Sequence, residues 1–308
     1  MRIRREIKPI VAITKNKEEG KAIEEGLQLI NFSTMIRSDD VVVITPNWVA
    51  PASPESGRVV GPESLRCIIR KVKQCAPKRI VVATGPGQED VIGLMNQVGF
   101  MRIVEEEKVE FINLNKGPFI SVDLNHSCPS RICLNQLFTE MTFLISFTQL
   151  KIHEEATISG AIKNIAMGWP AGEEQGYPKK DLGIHDELHD FIAALFEQFT
   201  VDVSIVSASP AMIGTGPHKG TAIHSDLVLC GTDPISTDVV GARLLGLKPQ
   251  AIHYLHKLIK KGLGRSTFDE QKKTGIQFPG MSIQAAEEHF SRCAFQKQFA
   301  VDSNREDS

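Results

Sequence analysis

No apolar run in this chain approaches the roughly 18–20 residues that span a membrane, and none of its six cysteines forms a C-x-x-C pair. The first absence argues against a membrane-spanning helix. With the second, six cysteines over 308 residues are too sparse for a disulfide framework, and a reducing compartment is the simplest reading. Aromatic platforms are scarce: two Trp and two Tyr leave little on which single-stranded bases could stack. A formal net charge of −2 offers no reason to expect a polyanion partner. The start, MRIRREIKPI, is basic but has no apolar stretch behind it, so it does not read as a secretory signal. The expectation is a cytoplasmic protein with no nucleic-acid and no membrane partner.

What is present is a 42% apolar composition, ordinary for a globular fold. Short continuous apolar runs at 10–14 (IVAIT), 41–45 (VVVIT), 80–84 (IVVAT), 143–147 (FLISF) and 203–207 (VSIVS) read as buried strands. Between them lie helical patterns at 15–30, 62–75, 88–98, 184–199, 233–245 and 249–261. Strands with no polar alternation, separated by helices, predict an α/β fold: a doubly wound, mainly parallel sheet with helices on both faces, a Rossmann-like three-layer sandwich. No repeat or linker is visible, so one domain is expected over 1–295, followed by a polar, disordered tail at 296–308.

Chemistry concentrates between Phe143 and Pro170. The apolar run ends, Lys151 and His153 follow in what reads as a polar loop, and then Lys163 and Asn164 stand among alanines and isoleucines on a helix. Ligands in open α/β sheets sit in the crevice beyond the carboxyl ends of strands, and three cations within 13 residues there suggest a small anionic ligand. Lys163 carries the most weight, because an ammonium in apolar surroundings needs a lowered pKa or an anion. Asn164 could orient the ligand or bond a loop carbonyl. The glycine-rich segment Gly214-Thr-Gly216-Pro-His218 could let backbone approach an anion, or could be a tight loop that needs positive φ. In the helix opened by the cap Asp233 and Pro234, Asp238 shares a face with Ile235, Ala242 and Leu245 and points inward. A buried carboxylate needs a partner: a lysine or histidine of the site, or backbone amides.

Two tempting metal patterns are weak. His185 and His189 in HDELH imitate a zinc-protease motif with the shorter Asp in place of Glu, and no third ligand is visible. His185, nearer the preceding loop, is the better site candidate. His126, Cys128 and Cys133 fit no strong metal template.

Taken together, Pro46-Asn47-Trp48, the block QLKIHEEATISGAIKNIAMG at 149–168, His185, GTGPHKG at 214–220 and GTDPISTDVVGARLLG at 231–246 are similar to the domain-of-unknown-function 362 family, which often carries an iron–sulfur label. The resemblance covers most of the chain and implies an α/β domain. Its matched positions are Lys151, His153, Lys163, Asn164, His185, Gly214, Gly216, Asp233 and Asp238. It implies no settled activity. Many relatives carry a ferredoxin-like C-x-x-C-x-x-C block that this chain lacks, which argues against an intrinsic 4Fe-4S cluster.

The favoured reading is an enzyme acting on a small anionic substrate, its cofactor unspecified. His153, Lys163 and His185 are the expected catalytic groups, with Asn47, Lys151, Asn164, Gly214, Gly216 and His218 binding substrate. Asp233 and Asp238 are expected to support them from behind. The alternative is a metal-associated redox or accessory protein, without catalysis of its own, that works with a separate ferredoxin.

Overall fold

The computed structural model describes residues 3–48, 50–180, 183–269 and 274–303. The chain opens with strand β1 (Val11–Lys15), helix α1 (Glu19–Leu29), β2 (Val41–Pro46), α2 (Pro62–Gln74) and β3 (Arg79–Thr84). Two short helices come next, α3 (Val91–Gln97) and α4 (Phe100–Glu106), then β4 (Glu110–Asn113) and the hairpin β5 (Phe119–Asp123) and β6 (Arg131–Asn135). After α5 (Leu137–Glu140) come the long β7 (Phe143–His153), β8 (Thr157–Ser159), α6 (Ala161–Gly168), α7 (Gly172–Gln175) and α8 (Leu188–Phe196). The remainder is β9 (Val203–Ile213), β10 (Thr221–Ile223), β11 (Leu227–Gly231), α9 (Pro234–Leu244), α10 (His253–Lys260) and, after a small hairpin, α11 (Ile283–Ser303).

The main sheet runs β1-β11-β9-β7-β2-β3-β4, with β8 and β10 added to β7 and β9. Pairings from β4 through β3, β2 and β7 to β9 are parallel; β11 lies antiparallel to both β9 and β1. This is the expected α/β sandwich on a mainly parallel sheet. The VVVIT run explains the two-sided burial. Val42 and Ile44 join the layer of α1, α2 and α4, whereas Val43 joins the opposite layer of α6, α8, α9 and α10.

Several elements differ from the sequence reading. The helix expected at 88–98 is present but shorter, as α3 (Val91–Gln97), and Gly99 (φ 80°) then turns the chain by left-handed backbone into a further helix, α4, that was not expected. The run at 143–147 continues as strand to His153, because β8 folds back on it and pairs Lys151 with Ser159. Lys151 and His153 therefore stand on a strand, not in a loop. HDELH is not one helix: α8 begins at Leu188, so His189 is helical and His185 precedes it. Of the tail expected at 296–308, residues 296–303 continue α11 and 304–308 lie outside the described residues. No helix among the described residues is long and apolar enough to cross a membrane.

The strand order sets the site. From β2 the chain winds outward to β3 and β4, returns to β7 beside β2, and then winds the other way to β9. The switch point lies between β2 and β7, and the loops at their carboxyl ends diverge there to leave a crevice.

Candidate functional site

A cleft of about 330 Å³ opens at this switch point, walled by the ends of β2, β3 and β7, by α6, and by the loops around 178 and 217. Lys151, Lys163, Lys179, His153, His185 and His218 line it, and among the described residues no aspartate or glutamate does.

Lys151 is fully buried. Its ammonium donates to Asn47 Oδ1 and, at 2.9 Å, to the Arg58 carbonyl. Asn47 can present its amide because Pro46 ends β2 and the Asn47 N–H bonds the Phe147 carbonyl of β7 at 2.8 Å. Burial first, and then Lys163 and Arg58, push the Lys151 amine down to about 7. The two acceptors on its hydrogens work the other way and favour the ammonium.

Lys163 sits in the first turn of α6. It has no hydrogen-bond or ion-pair partner among the described residues. Burial pushes its amine down to about 8, opposed by the nearby charge of Glu155. Asn164, one residue on, spends its amide on the structure, donating to the Thr45 carbonyl at 2.9 Å and Ser146 Oγ at 3.1 Å. That anchors α6 across β2 and β7 and leaves the Asn164 carbonyl oxygen for the cleft. The N-terminus of α6 is held by Asp238 of α9, whose carboxylate accepts the amides of Ala161 at 2.7 Å and Ile162 at 3.0 Å. Asp238 thus takes backbone amides, not a lysine or histidine of the site. Burial pushes its carboxyl up to about 7.

The three histidines are held differently. His153 Nδ1 accepts the amides of Glu155 and Ala156, both at 3.2 Å, so its proton is assigned to Nε2. Burial, and then Lys163 and Lys151, push His153 down to about 2, which makes it a neutral imidazole with an N–H to donate. His185 Nδ1 lies 3.1 Å from Glu155 Oε2. A neutral ring donating there keeps Nε2 as an acceptor. His218 Nδ1 accepts from the Arg58 guanidinium at 3.0 Å, which links the glycine-rich loop to the loop after β2.

Sequence reasoning did not single out Lys179, Glu155, Arg58 or the turn Gly85-Pro86-Gly87 at the end of β3. The turn was legible, because a Gly-Pro-Gly break after a buried strand marks the same edge of the sheet. Lys179 was not, since its role is fixed by distant carbonyls: it donates to Gly85 O, to Met167 O at 3.2 Å and to Gly168 O at 3.3 Å, tying the end of α6 to the β3 turn.

Three expected positions lie elsewhere. Asp233 is at the opposite edge of the sheet, because β11 runs antiparallel and delivers its carboxyl end beside the start of β9. There it caps α9 through the Ile235 amide at 3.0 Å and pairs with Arg4 at 2.8 Å. Gly214 and Gly216 do not line the cleft; Pro217 and His218 of the same loop do. Gly214 supplies a positive φ of 79°, and a Cβ on Gly216 would meet the Ile152 carbonyl oxygen at 2.0 Å.

The cysteine pattern does not assemble a cluster site. Cys128 is exposed, His126 is turned to the Pro129 carbonyl at 3.2 Å, and no three His, Cys, Asp or Glu side chains gather as metal ligands among the described residues.

No curated protein matches the chain. Among solved structures, it is similar to the lactate racemase apoprotein of Thermoanaerobacterium thermosaccharolyticum, at 15% identity and a TM-score of 0.41. The match covers 74% of this chain and 56% of that one, so this chain spans little more than half of its length. At that level the likeness carries no argument about chemistry. A family model described as "Domain of unknown function (DUF362)" matches residues 42–243, about two thirds of the sequence, and the chain belongs to that family.

Proposed function

We propose that the chain is an enzyme that binds a small anionic substrate in this cleft and moves a proton on it. One observation carries the reading: three lysines and three histidines line a concave site at a topological switch point, and among the described residues no carboxylate stands with them. Unbalanced positive charge in a low-dielectric cleft stabilises an entering anion and is stabilised by it. The volume suits a metabolite-sized molecule better than a polymer.

In this reading Lys151, held by Asn47, is the fixed cation. Lys163 adds charge beside it, and the Asn164 carbonyl and His218 complete the wall. His185, backed by Glu155, takes or returns a proton through Nε2. His153 donates its Nε2–H to an oxygen on which negative charge develops, and as a neutral imidazole it polarises without giving up its proton. Asp238 acts through α6, by fixing the helix that carries Lys163. The protein is proposed to act in the cytoplasm, on substrate from solution.

A thermal-shift series with small carboxylates and phosphate esters, each beside an uncharged analogue, tests the reading. Anions are expected to raise the melting temperature and their neutral analogues to leave it unchanged. Lys163→Ala and His153→Ala should lose the response while melting close to wild type. An equal response to neutral analogues, or no response to any anion, would defeat the proposal.

A further inference from the structure

We propose that Lys163 is a nucleophile that forms an imine with a substrate carbonyl, and that the substrate class is a small aldehyde or ketone carrying one anionic group. The inference rests on the cleft being the anion site proposed above, and adds to it a covalent step and a second functional group.

The three lysines of the cleft are not equivalent. Lys179 has its hydrogens committed to three backbone carbonyls, two of them at the end of α6. Lys151 is committed to Asn47 and the Arg58 carbonyl. Of the three, Lys163 lines the cleft with no acceptor among the described residues, so none of them fixes its proton or blocks its lone pair. Its place disfavours a cation three times over: it is half-buried in the wall of the cleft, it faces a second lysine, and it stands in the first turn of a helix, where the macrodipole is positive. The Asp238 carboxylate is turned to the Ala161 and Ile162 amides, and the carboxylate that does offset this, Glu155, is shared with His185 and only partly counters the lowering by burial. Burial lowers all three amines, Lys151 and Lys179 to about 7 and Lys163 to about 8, so what sets Lys163 apart is the absence of an acceptor on its amine among the described residues, not the size of its shift. A desolvated lysine beside another cation is a known way to activate an amine towards carbonyls.

Each group then has its own part in the reaction. Lys151 holds the anionic group, and the Lys163 amine attacks the carbonyl carbon, forming the C–N bond while the carbonyl π electrons move to oxygen. His153 Nε2–H bonds that oxygen. His185 takes a proton from nitrogen and delivers it to oxygen, giving the neutral carbinolamine. A second proton, drawn from solvent through His185, lets the hydroxyl leave as water as the nitrogen lone pair forms C=N. The sum is amine plus carbonyl plus one proton giving iminium plus water.

The test treats the full-length protein with glyoxylate, the smallest anionic aldehyde, reduces with borohydride, and maps carboxymethylated lysines by peptide mass spectrometry. The exposed Lys17 serves as internal reference. Labelling of Lys163 is expected to exceed that of Lys17 by at least about tenfold, with a smaller preference for acetaldehyde, which lacks the charge. The wild-type peptide map needs no variant, and Lys163→Met should lose the adduct with the fold intact. If glyoxylate shifts the melting temperature but labels Lys163 no faster than Lys17, or labels Lys151 in its place, the imine is overturned and the anion site stands. If neither glyoxylate nor any carboxylate or phosphate ester shifts melting and Lys163 is unlabelled, both proposals fall.

Discussion

The carboxylate of Asp238 accepts the amide proton of Ala161 at 2.7 Å, and through that bond α9 sets the position of the site helix α6. Asp238 also takes the Ile162 amide, so two of the orphan donors of this helix terminus depend on one side chain. Asp238→Ala is expected to cost about 2–4 kcal/mol, measured by urea unfolding. Asp238→Asn, which keeps one acceptor and avoids a buried charge, should cost about 1 kcal/mol. Both should weaken anion binding through the displaced Lys163. Wild-type stability in Asp238→Ala would remove the capping argument.

Lys163 predicts the opposite pattern. Its folded-state pKa lies below the 10.5 of a free lysine, so the folded protein bears the cost of a half-buried, partly desolvated ammonium. That cost is complete below about pH 8 and disappears as pH rises towards 10.5, the window in which the unfolded chain binds more protons. Lys163→Met should therefore be as stable as wild type at pH 7, or up to about 2 kcal/mol more so, and the gap should close between pH 8 and 10.5. Paired denaturation curves across that range read it directly. A gap that widened with pH would contradict the sign. The same variant should lose anion binding.

These two residues also show how far the sequence could be read. The inward direction of Asp238 came from helical spacing, and Lys163 stood out because its neighbours are apolar. The partner of each was hidden, since Asp238 finds amides 77 residues away across a helix–helix contact. Asp233 was misplaced for a topological reason. A short apolar strand such as Leu227–Gly231 reads the same in either direction, and only its antiparallel pairing sends Thr232 and Asp233 to the far edge. The parallel core strands were legible because continuous β-branched runs have one common use. The extension of β7 to His153 was not, because its polar end is kept extended by the returning β8.

The glycine-rich loop gives a paired prediction. A Cβ on Gly216 would sit 2.0 Å from the Ile152 carbonyl oxygen, and the Gly216 carbonyl accepts the Glu154 amide at 3.0 Å. Gly216→Ala must therefore push the loop away from the end of β7, at a cost of about 3 kcal/mol, and disturb His153 between those two contacts. Gly214→Ala meets open space and is penalised only by its φ of 79°, about 1 kcal/mol. Unfolding of both variants, with anion titration, separates the two. Equal costs would mean that the loop is held by φ alone.

Glu155 serves two neighbours, and its removal should register on both. Its carboxylate lies 3.1 Å from His185 Nδ1, and its charge favours the ammonium of Lys163. The pair with His185 is largely exposed and contributes little to stability, so Glu155→Gln should melt close to wild type. The amide of Gln can still accept from His185 Nδ1 but no longer stabilises a positive imidazolium, and turnover of a substrate found in the anion screen should drop about 10–100-fold, mainly in kcat. Removing a negative charge also disfavours protonation of Lys163, so the midpoint of the pH profile for glyoxylate labelling should move to lower pH. A purely structural Glu155 would alter melting and leave that midpoint where it is; a midpoint shifted upward would reverse the electrostatic argument altogether.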